Sequence, residues 1–378
     1  MNEVTKELIS NFQFTAIVFM MGLTALLCMM RMRRAGLNRV IDTTRWLMAG
    51  GTAVLALQFV LQYILKLRDV GETQALMLNL MLFAPASWLL NIAVLQLQRQ
   101  GKLSKTERYA GGFVALVITV LLVVASIENG GSFFCDTPLM RTMEKVGAVL
   151  YFFSQIYYIY KELNELAKLR RSMNNYFDQD RSVMLRWMRV CIYLMAAIAL
   201  FVPLAITISG KVLFLFGFLM LAGVSYLVVC FRDYVISKRA YMVMEAQQNE
   251  EEADAENVSV VPISEKERKR IDKVVSRWLT TERYLQSGIT MPAIAREMGI
   301  SPQLLRNWFP LAGYDSYSDW MQHLRIDHAK EMISEHPDFS VEYIANACGF
   351  RNRSYFHTVF RQMTGLTPAQ FVERAKEK

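Results

Sequence analysis

The sequence lacks most of the residue patterns from which catalytic and metal sites are built. It has no glycine-rich loop that could cradle a phosphate, and its five cysteines show neither a pairing pattern nor the Cys/His spacing of a zinc site. All four histidines lie in the C-terminal third, at His323, His328, His336 and His357, and the first three are expected to be surface or packing residues. From these absences we predict that the protein is not an enzyme and holds no cofactor or metal ion.

Charged residues are scarce in residues 11–231, where apolar runs are broken only by short charged loops. A bilayer core of about 30 Å requires roughly 20 apolar residues per helix. Seven runs approach or reach that length, at about 11–30, 46–67, 75–97, 109–127, 139–160, 188–208 and 212–231. They contain no histidine, which argues against a haem or metal site, and the last has no lysine for a retinal Schiff base. The sequence therefore predicts an all-α protein whose residues 1–231 form a seven-transmembrane helical bundle.

Basic residues are distributed unequally between the loops that connect these runs. The loops after the first, third, fifth and seventh runs carry 19 lysines and arginines, and the other side carries 6. Because cytoplasmic loops are the basic ones, we predict an external N-terminus and a cytoplasmic C-terminus. The fifth run is the weakest, since Arg141, Glu144 and Lys145 lie in its first turns, but without it the alternation of basic loops would break. The N-terminus lacks a basic region and a cleavage site, so the first run is predicted to remain as a span.

Residues 232–264 are predicted to be a cytoplasmic stalk followed by an acidic linker. From Ala240 to Ser264 there is no basic residue and there are many acidic ones, a composition that cannot build a core and is typical of a solvated tether. The stalk could continue the seventh helix. Two apolar pairs at a spacing of seven, Val235 with Met242 and Ile236 with Val243, are a weak hint that the stalk pairs two chains as a homodimer.

Two similar blocks follow in the C-terminal part, MPAIAREMGISPQLLRNWF at 291–309 and VEYIANACGFRNRSYFHTVF at 341–360. Apolar and glycine positions of the first block recur in the second at an offset of 50 or 51, namely Ile294, Ala295, Gly299, Leu305 and Phe309. In each block the pattern predicts a bracing helix, a turn on glycine and a second helix anchored by large apolar residues. Exposed Arg and Asn on the second helix favour a helix-turn-helix that enters the major groove over a purely structural hairpin.

The second block fits the spaced pattern IAxxxGFxxxSYFxxxFRxxxGxTPxxF, from Ile344 to Phe371. On this match residues 265–378 resemble the DNA-binding domain of the AraC/XylS family of bacterial transcription regulators. The stretch SDWMQHLRIDHAKEMI at 318–333 resembles the long helix that joins the two helix-turn-helix units of that family. The resemblance implies double-stranded DNA as a partner, with RNA polymerase as a further candidate, and it covers less than a third of the chain.

The resemblance also assigns candidate DNA contacts position by position. The base-reading positions fall on Gln303, Arg306 and Asn307 in the first unit and on Arg353, His357 and Thr358 in the second. Arginine suits guanine, glutamine and asparagine suit adenine, and Arg361 is expected to contact a phosphate. Asn307, Pro310 and Thr358 depart from the family, which often has a basic residue there. Pro310 is expected to end the first recognition helix early, so that the first unit reads fewer bases.

Polar residues within the apolar runs are the candidates for a ligand site, because burying them in lipid is costly. They are Gln58, Gln62, Asn79, Asn91, Tyr151 and Gln155. Hydrogen bonding between helices is the more ordinary role for such residues. The runs contain little buried charge and no inverted repeat, which weighs against a transporter.

The sequence as a whole predicts a membrane-tethered, sequence-specific transcription regulator of the bacterial cytoplasmic membrane. Its membrane bundle would sense a small-molecule or membrane signal, and residues 265–378 would act on promoters in the cytoplasm. Two alternatives remain open. One is a transporter or permease with a fused regulatory DNA-binding domain, and the other is a regulator that proteolysis releases from the membrane.

Overall fold

The computed structural model describes residues 3–30, 39–67, 71–128, 133–134, 136–204, 210–237, 239, 242–248 and 263–376. The regular structure of these residues is helical, apart from one isolated antiparallel bridge between Phe177 and Thr290. The chain divides into two compact units. The N-terminal unit contains residues 1–167 and 185–240, and the C-terminal unit contains residues 168–184 and 241–378.

Long helices follow each other through the N-terminal part of the described chain. They are α1 (Glu3–Met29), α2 (Arg39–Leu65), α3 (Glu72–Gln98), α4 (Lys105–Ile127), α5 (Pro138–Tyr176), α6 (Arg186–Leu204) and α7 (Gly210–Ile236). Five of these, α1 to α4 and α7, are long and apolar enough to cross a membrane. Helix α5 has 39 residues, or about 58 Å at 1.5 Å per residue, which exceeds the thickness of a bilayer core. Seven crossings and their orientation remain predictions.

Small and polar side chains allow the helices of the N-terminal unit to pack closely. Gly51 on α2 faces Leu90 of α3 so closely that a Cβ there would lie 2.9 Å from the leucine Cδ2. Thr24 Oγ1 on α1 donates to Thr52 Oγ1 on α2 over 2.8 Å. Arg45 of α2 donates to the carbonyl oxygen of Leu27, and so satisfies part of the open C-terminal end of α1. Close backbone approach and polar cross-links of this kind are typical of membrane helix bundles.

Most helices of the C-terminal unit begin at a residue whose side chain caps them. The helices of this unit are α8 (Glu265–Leu279), α9 (Met291–Met298), α10 (Pro302–Leu311), α11 (Tyr317–Glu335), α12 (Val341–Ala347), α13 (Arg353–Thr364) and α14 (Pro368–Lys376). Ser264, Ser301, Ser316 and Ser340 each accept a backbone N–H from the first turn of the helix that follows. Such caps satisfy N–H groups that the helix itself leaves open, so the sequence fixes where these helices start.

Helix α11 belongs to two hydrophobic cores at once. Its first half contributes Trp320 and its neighbours to a core with α8, α9 and α10, around Trp308 and Phe309. Its second half contributes Ile326 and the residues that follow to a core with α12, α13 and α14, around Phe356. The two helix-turn-helix units predicted from the repeated blocks are therefore separately packed and joined by one helix.

The predicted stalk and linker fall partly outside the described residues. Helix α7 ends at Ile236, and residues 242–248 are again helical. Residues 238, 240 and 241 lie outside the described part, so the continuation of the seventh helix as a stalk stays a prediction. Most of the acidic linker, residues 249–262, lies outside the described part, as do residues 31–38 of the first basic loop and Cys135.

Candidate nucleic-acid interface

The first helix-turn-helix unit consists of α9, a turn and α10. Gly299 ends α9 with φ +66°, a left-handed conformation that glycine adopts without strain. Ser301 then caps α10, which presents Gln303, Arg306 and Asn307. Leu305 and Phe309 of α10 are buried in the first core, so the opposite face of α10 is the one that could meet a DNA groove.

The second unit repeats this arrangement with α12 and α13. Gly349 forms the turn with φ +79°, and Phe356 and Phe360 anchor α13 in the second core. Asn352 caps α13, because its side-chain oxygen accepts the backbone N–H of Ser354 over 2.8 Å and that of Tyr355 over 3.4 Å. The structure thus contains the helix, glycine turn and anchored second helix that the sequence predicts, in both units.

In the first unit, two of the predicted base-reading residues bind each other. Gln303 Nε2 donates to Asn307 Oδ1 over 2.8 Å, and Gln303 is only 9% exposed. The amide oxygen of Gln303, Oε1, is buried and has no partner among the described residues. Arg306 is half-buried beside them. To read adenine with two hydrogen bonds, either amide would first have to give up the contact between Gln303 and Asn307.

The reading positions of the second unit are more open. The Arg353 side chain is 62% exposed, and its Nη1 lies 4.0 Å from Glu342 Oε2, at the limit of an ion pair. His357 stands one helical turn further on and is half-buried, while Arg361 is exposed in the last turn of α13. Thr358 is exposed, but its hydroxyl donates to the Ser354 carbonyl oxygen over 3.0 Å. Arg353 is therefore the most available hydrogen-bond donor among the predicted base readers.

Pro310 does not end the first recognition helix. Helix α10 continues through the proline to Leu311, so the expectation of an early stop at residue 310 is wrong in that detail. The reason is position: Pro310 lies in the last turn, where it removes a single N–H, and Ala312 N donates to the Trp308 carbonyl oxygen to close the helix. Helix α10 still has 10 residues against 12 in α13.

A buried ion pair in the C-terminal unit escapes sequence analysis. Arg325 of α11 is 0% exposed, and its Nη2 donates to Asp178 Oδ2 over 2.8 Å. The sequence does hold a signal for Arg325, which follows Tyr317 and Met321 at helical spacing on the buried face of α11. No comparable signal marks Asp178, which lies in a basic loop far away in the chain.

The polar residues of the membrane runs form two groups in the N-terminal unit. Asn79 Oδ1 accepts hydrogen bonds from Gln58 Nε2 over 2.6 Å and from Gln62 Nε2 over 2.9 Å. Elsewhere Asn91 Nδ2 donates to Gln155 Oε1 over 2.9 Å, and Tyr151 OH lies 2.9 Å from Ser87 Oγ. These contacts connect different helices, which is the structural role that the sequence leaves open beside ligand binding.

The first group also borders a small cavity of about 30 Å³. Its lining includes Gln58, Gln62 and Asn79 together with Phe12 and Phe216. The side-chain oxygens of Gln58 and Gln62 are buried and have no partner among the described residues. A space of this size and polarity accommodates about one water molecule, which could satisfy both oxygens. A larger ligand would require the helices to separate.

Comparison with known proteins bears on the C-terminal part alone. Residues 294–374 match the family model of the helix-turn-helix domain. The C-terminal region carries an AraC-type helix-turn-helix domain. The match contains the predicted base-reading positions of both units and the whole of α11.

Several curated proteins are similar to the helix-turn-helix domain. The uncharacterized HTH-type transcriptional regulator YijO of Escherichia coli K12 is 33% identical over 90 residues, which are 24% of this chain and 31% of that protein. The HTH-type transcriptional regulator GadX of the same strain is 35% identical over 89 residues, 24% of this chain and 32% of GadX. The HTH-type transcriptional activator RhaR of Salmonella dublin is 27% identical over 101 residues, 27% of this chain and 34% of RhaR.

The chain thus spans about a third of the length of the curated relatives it matches. A crystal structure of a DNA-binding transcriptional dual regulator from Escherichia coli K-12 is 31% identical to this chain, of which it covers 29%, while the match spans 93% of that structure. Its TM-score is 0.25, so this structural likeness adds nothing to the assignment of the domain.

Proposed function

We propose that the protein is a membrane-tethered, sequence-specific DNA-binding transcription regulator that carries a signal from the membrane to promoters. The observation that carries this proposal is the second recognition helix, α13. It is capped by Asn352, anchored by buried phenylalanines and leaves Arg353 exposed. A helix so held can enter a major groove, and it lies in a helix-turn-helix domain whose similar proteins are named as transcription regulators.

The proposed DNA contacts divide into readers and anchors. Arg353 would donate two hydrogen bonds to a guanine, and His357 would add a contact on the same helical face. Gln303, Arg306 and Asn307 would read the neighbouring groove after a local rearrangement of their amides, and Thr358 would contribute at the edge. Arg361 would contact a phosphate and set the register.

The membrane part of the proposal rests on the N-terminal unit. Five of its helices are long and apolar enough to span a bilayer, and the basic residues are concentrated in alternate loops. The signal would act on the bundle by changing how its helices pack. The cavity at Gln58, Gln62 and Asn79 is a candidate site, and Asn91, Tyr151 and Gln155 are a second, with a small polar molecule as the ligand class.

Mapping DNA occupancy of the full chain in cells tests this function. The protein would carry a C-terminal tag, membranes would be washed with alkaline carbonate, and DNA cross-linked to the retained protein would be sequenced. We expect a defined set of promoter sites, and Arg353→Ala should remove occupancy at most of them. Arg351→Ala is a matched control, because Arg351 precedes α13 and lies close to Ser287. A protein that carbonate extracts, or that marks DNA without sequence preference, would contradict the proposal.

Reporter fusions test the proposed orientation separately. Fusions after Lys102 and after Met244 should report a cytoplasmic position, and a fusion at Gly130 should report an external one. An external result after Met244 would place the helix-turn-helix domain out of reach of DNA. Blotting the tagged chain under inducing conditions distinguishes intact signalling from proteolytic release, which would yield a C-terminal fragment of the size of the linker and DNA-binding domain.

A further inference from the structure

The last turns of helix α5 and the residues that follow belong to the C-terminal unit and not to the N-terminal one. Residues 168–184, which follow the fifth apolar run, group with residues 241–378. Helix α5 is continuous from Pro138 to Tyr176, so it begins in the N-terminal unit and ends in the C-terminal unit. We call Tyr176 to Arg181 the docking segment, because its residues contact several parts of the helix-turn-helix domain.

Asp178 is the most buried residue of the docking segment and pairs with Arg325 of α11. Its Oδ2 accepts from Arg325 Nη2 over 2.8 Å and from the backbone N–H of Gly288 over 2.7 Å. Arg325 and Asp178 side chains are 0% and 1% exposed. Arg325 Nη2 also donates to the Gln286 carbonyl oxygen over 2.7 Å. Removing Asp178 would leave a buried guanidinium without its counter-charge, which is far more costly than losing a surface ion pair.

Arg325 lies where the two hydrophobic cores of the helix-turn-helix domain meet on α11. It lies on α11 between Met321, which is part of the first core, and Ile326, which is part of the second. Whatever holds Arg325 therefore acts at the junction between the two helix-turn-helix units. A change there would alter the direction in which α11 presents one unit relative to the other.

Neighbouring residues of the docking segment reach both helix-turn-helix units. Phe177 forms the antiparallel bridge with Thr290, the residue that precedes α9 of the first unit. Gln179 Nε2 donates to the carbonyl oxygen of Gly349, the turn of the second unit, over 2.9 Å. The backbone N–H of Asp180 donates to Tyr355 OH over 2.9 Å, and Tyr355 stands in the first turn of α13.

These contacts leave the second reading surface open. Arg353 and Thr358 are exposed in the same structure in which the Asp180 N–H contacts Tyr355 OH. Burial raises the pKa of Tyr355 to about 12, and its phenol oxygen accepts the Asp180 N–H. Docking is thus compatible with DNA reading by the second unit.

We propose that the docking segment fixes the orientation of the two helix-turn-helix units relative to each other, and that the docked form reads two half-sites at one fixed separation. This inference rests on the proposed DNA-binding function and adds to it how the domain is controlled. Because the segment continues directly from α5, a signal that shifts or rotates α5 would act on the docking segment. Undocking would leave the units joined by α11 and by the contacts of Gly349 and Arg351 with residues 285–287, so the separation of the half-sites would vary more widely.

Two measurements on the full chain in lipid nanodiscs test the proposal. The variant is Asp178→Asn, and the matched control is Asp180→Asn. The control makes the same change of charge two residues away and keeps the backbone N–H through which Asp180 contacts Tyr355. The Asp180 carboxylate is 30% exposed and lies 3.9 Å from Arg170. Hydrogen–deuterium exchange of residues 176–184 reports docking. Selection from a pool of random-sequence duplexes reports the half-sites and the separation between them.

We expect the rate of hydrogen–deuterium exchange in the docking segment to rise about tenfold in Asp178→Asn. In Asp180→Asn it should stay near the wild-type rate. Wild type and Asp180→Asn should enrich two half-sites at one separation. Asp178→Asn should enrich the same half-sites at varied separations, with about tenfold weaker binding to the wild-type duplex. Unchanged exchange, or an unchanged fixed separation, in Asp178→Asn would overturn the proposal.

Asp178→Asn could also unfold the domain, which would show as faster exchange throughout α8 to α14. Gln179→Ala then decides, since it removes a single hydrogen bond to Gly349 at the rim. It should relax the separation to a smaller degree, and a wild-type result in both measurements would overturn the proposal. If wild type enriches no sequence at all, the proposed DNA-binding function fails, whereas the exchange experiment still decides whether the segment is docked.

Discussion

The two helix-turn-helix units have the same arrangement of helices but differ in which polar side chains they expose on the recognition helix. In both, a left-handed glycine links a bracing helix to a capped recognition helix with buried aromatic anchors. In the first unit Gln303 and Asn307 bind each other, whereas in the second Arg353 is exposed. The sequence pattern of the fold and the capacity to read bases are therefore separate properties. One can be repeated without the other.

The turn glycines are the sharpest structural contrast between the units. A Cβ at Gly299 would meet nothing within 4 Å, whereas one at Gly349 would overlap the backbone carbonyl of Leu285. Both have positive φ, which costs a non-glycine residue about 1–2 kcal/mol. We predict that Gly299→Ala loses about that amount of local stability and that Gly349→Ala loses more than about 3 kcal/mol, because the backbone cannot move aside cheaply.

Hydrogen–deuterium exchange of the full chain measures both glycine substitutions, with α9 amides reporting on the first unit and α12 amides on the second. Serine caps and tryptophan packing are left intact in each variant, so each glycine is the control for the other. Equal losses in the two units would show that the close approach at Gly349 is not a constraint on the folded domain.

The next largest effect should separate the two recognition helices in function. Arg353→Ala is expected to cost about 1–3 kcal/mol at one base position and to relax the preference there, since an exposed arginine can pair with both acceptors of guanine. Gln303→Ala should cost less, because Gln303 is already bonded to Asn307. Titration of each variant against its selected duplex and a scrambled duplex measures the difference. A greater loss in Gln303→Ala would make the first unit the main reader.

Much of the fold of the two units can be predicted from the sequence, because it depends on interactions between residues close together in the chain. Glycine turns, serine and asparagine caps and the spacing of buried apolar residues act within a few positions of each other, so the repeated blocks identify both units. The apolar runs likewise predict the long N-terminal helices, and five of them meet the length and composition of a membrane span. Arg353 is assigned as a base reader by the same local pattern.

The rest depends on contacts between distant parts of the chain. Gln303 and Asn307 are one helical turn apart, so their side chains can either bind each other or extend into solvent. Which rotamers they adopt cannot be predicted from the spacing alone. Asp178 meets Arg325 across a separation of 147 positions. No periodicity connects two such residues, so the docking segment is found only from the folded structure. The end of α10 beyond Pro310 also depends on a closing bond that the sequence does not display.

A smaller effect concerns affinity without sequence preference. Arg361 is exposed in the last turn of α13, away from the first turn that reaches base edges. We predict that Arg361→Ala weakens binding to all duplexes alike and reduces the dependence of log K on log salt by about one unit, as expected for one lost phosphate contact. Titrations at two salt concentrations test this. A loss confined to the selected duplex would instead make Arg361 a base reader.

The smallest effect concerns an acidic brace that the first unit has and the second lacks. Glu297 accepts from Trp278 Nε1 over 3.0 Å and from Arg283 Nη2 over 2.6 Å, while the corresponding position of the second unit, 50 residues later, is Ala347. The hydrogen bond from Arg283, and then that from Trp278, lowers the pKa of Glu297. A lowered carboxylate pKa stabilises the fold above the unfolded value near 4.5, and this contribution is lost as pH falls through the folded value.

Acid should therefore loosen the first unit before the second. The ion pair is partly exposed, at 41% for Arg283 and 33% for Glu297, so solvent screens it and its contribution to stability is expected to be small. Glu297→Gln retains an acceptor for one donor but removes the charge. It should make α9 exchange faster at pH 6 and remove much of its additional acceleration at lower pH, leaving α12 unchanged. If α9 of wild type and of Glu297→Gln respond to acid equally, the sensitivity of the first unit arises elsewhere than in this brace.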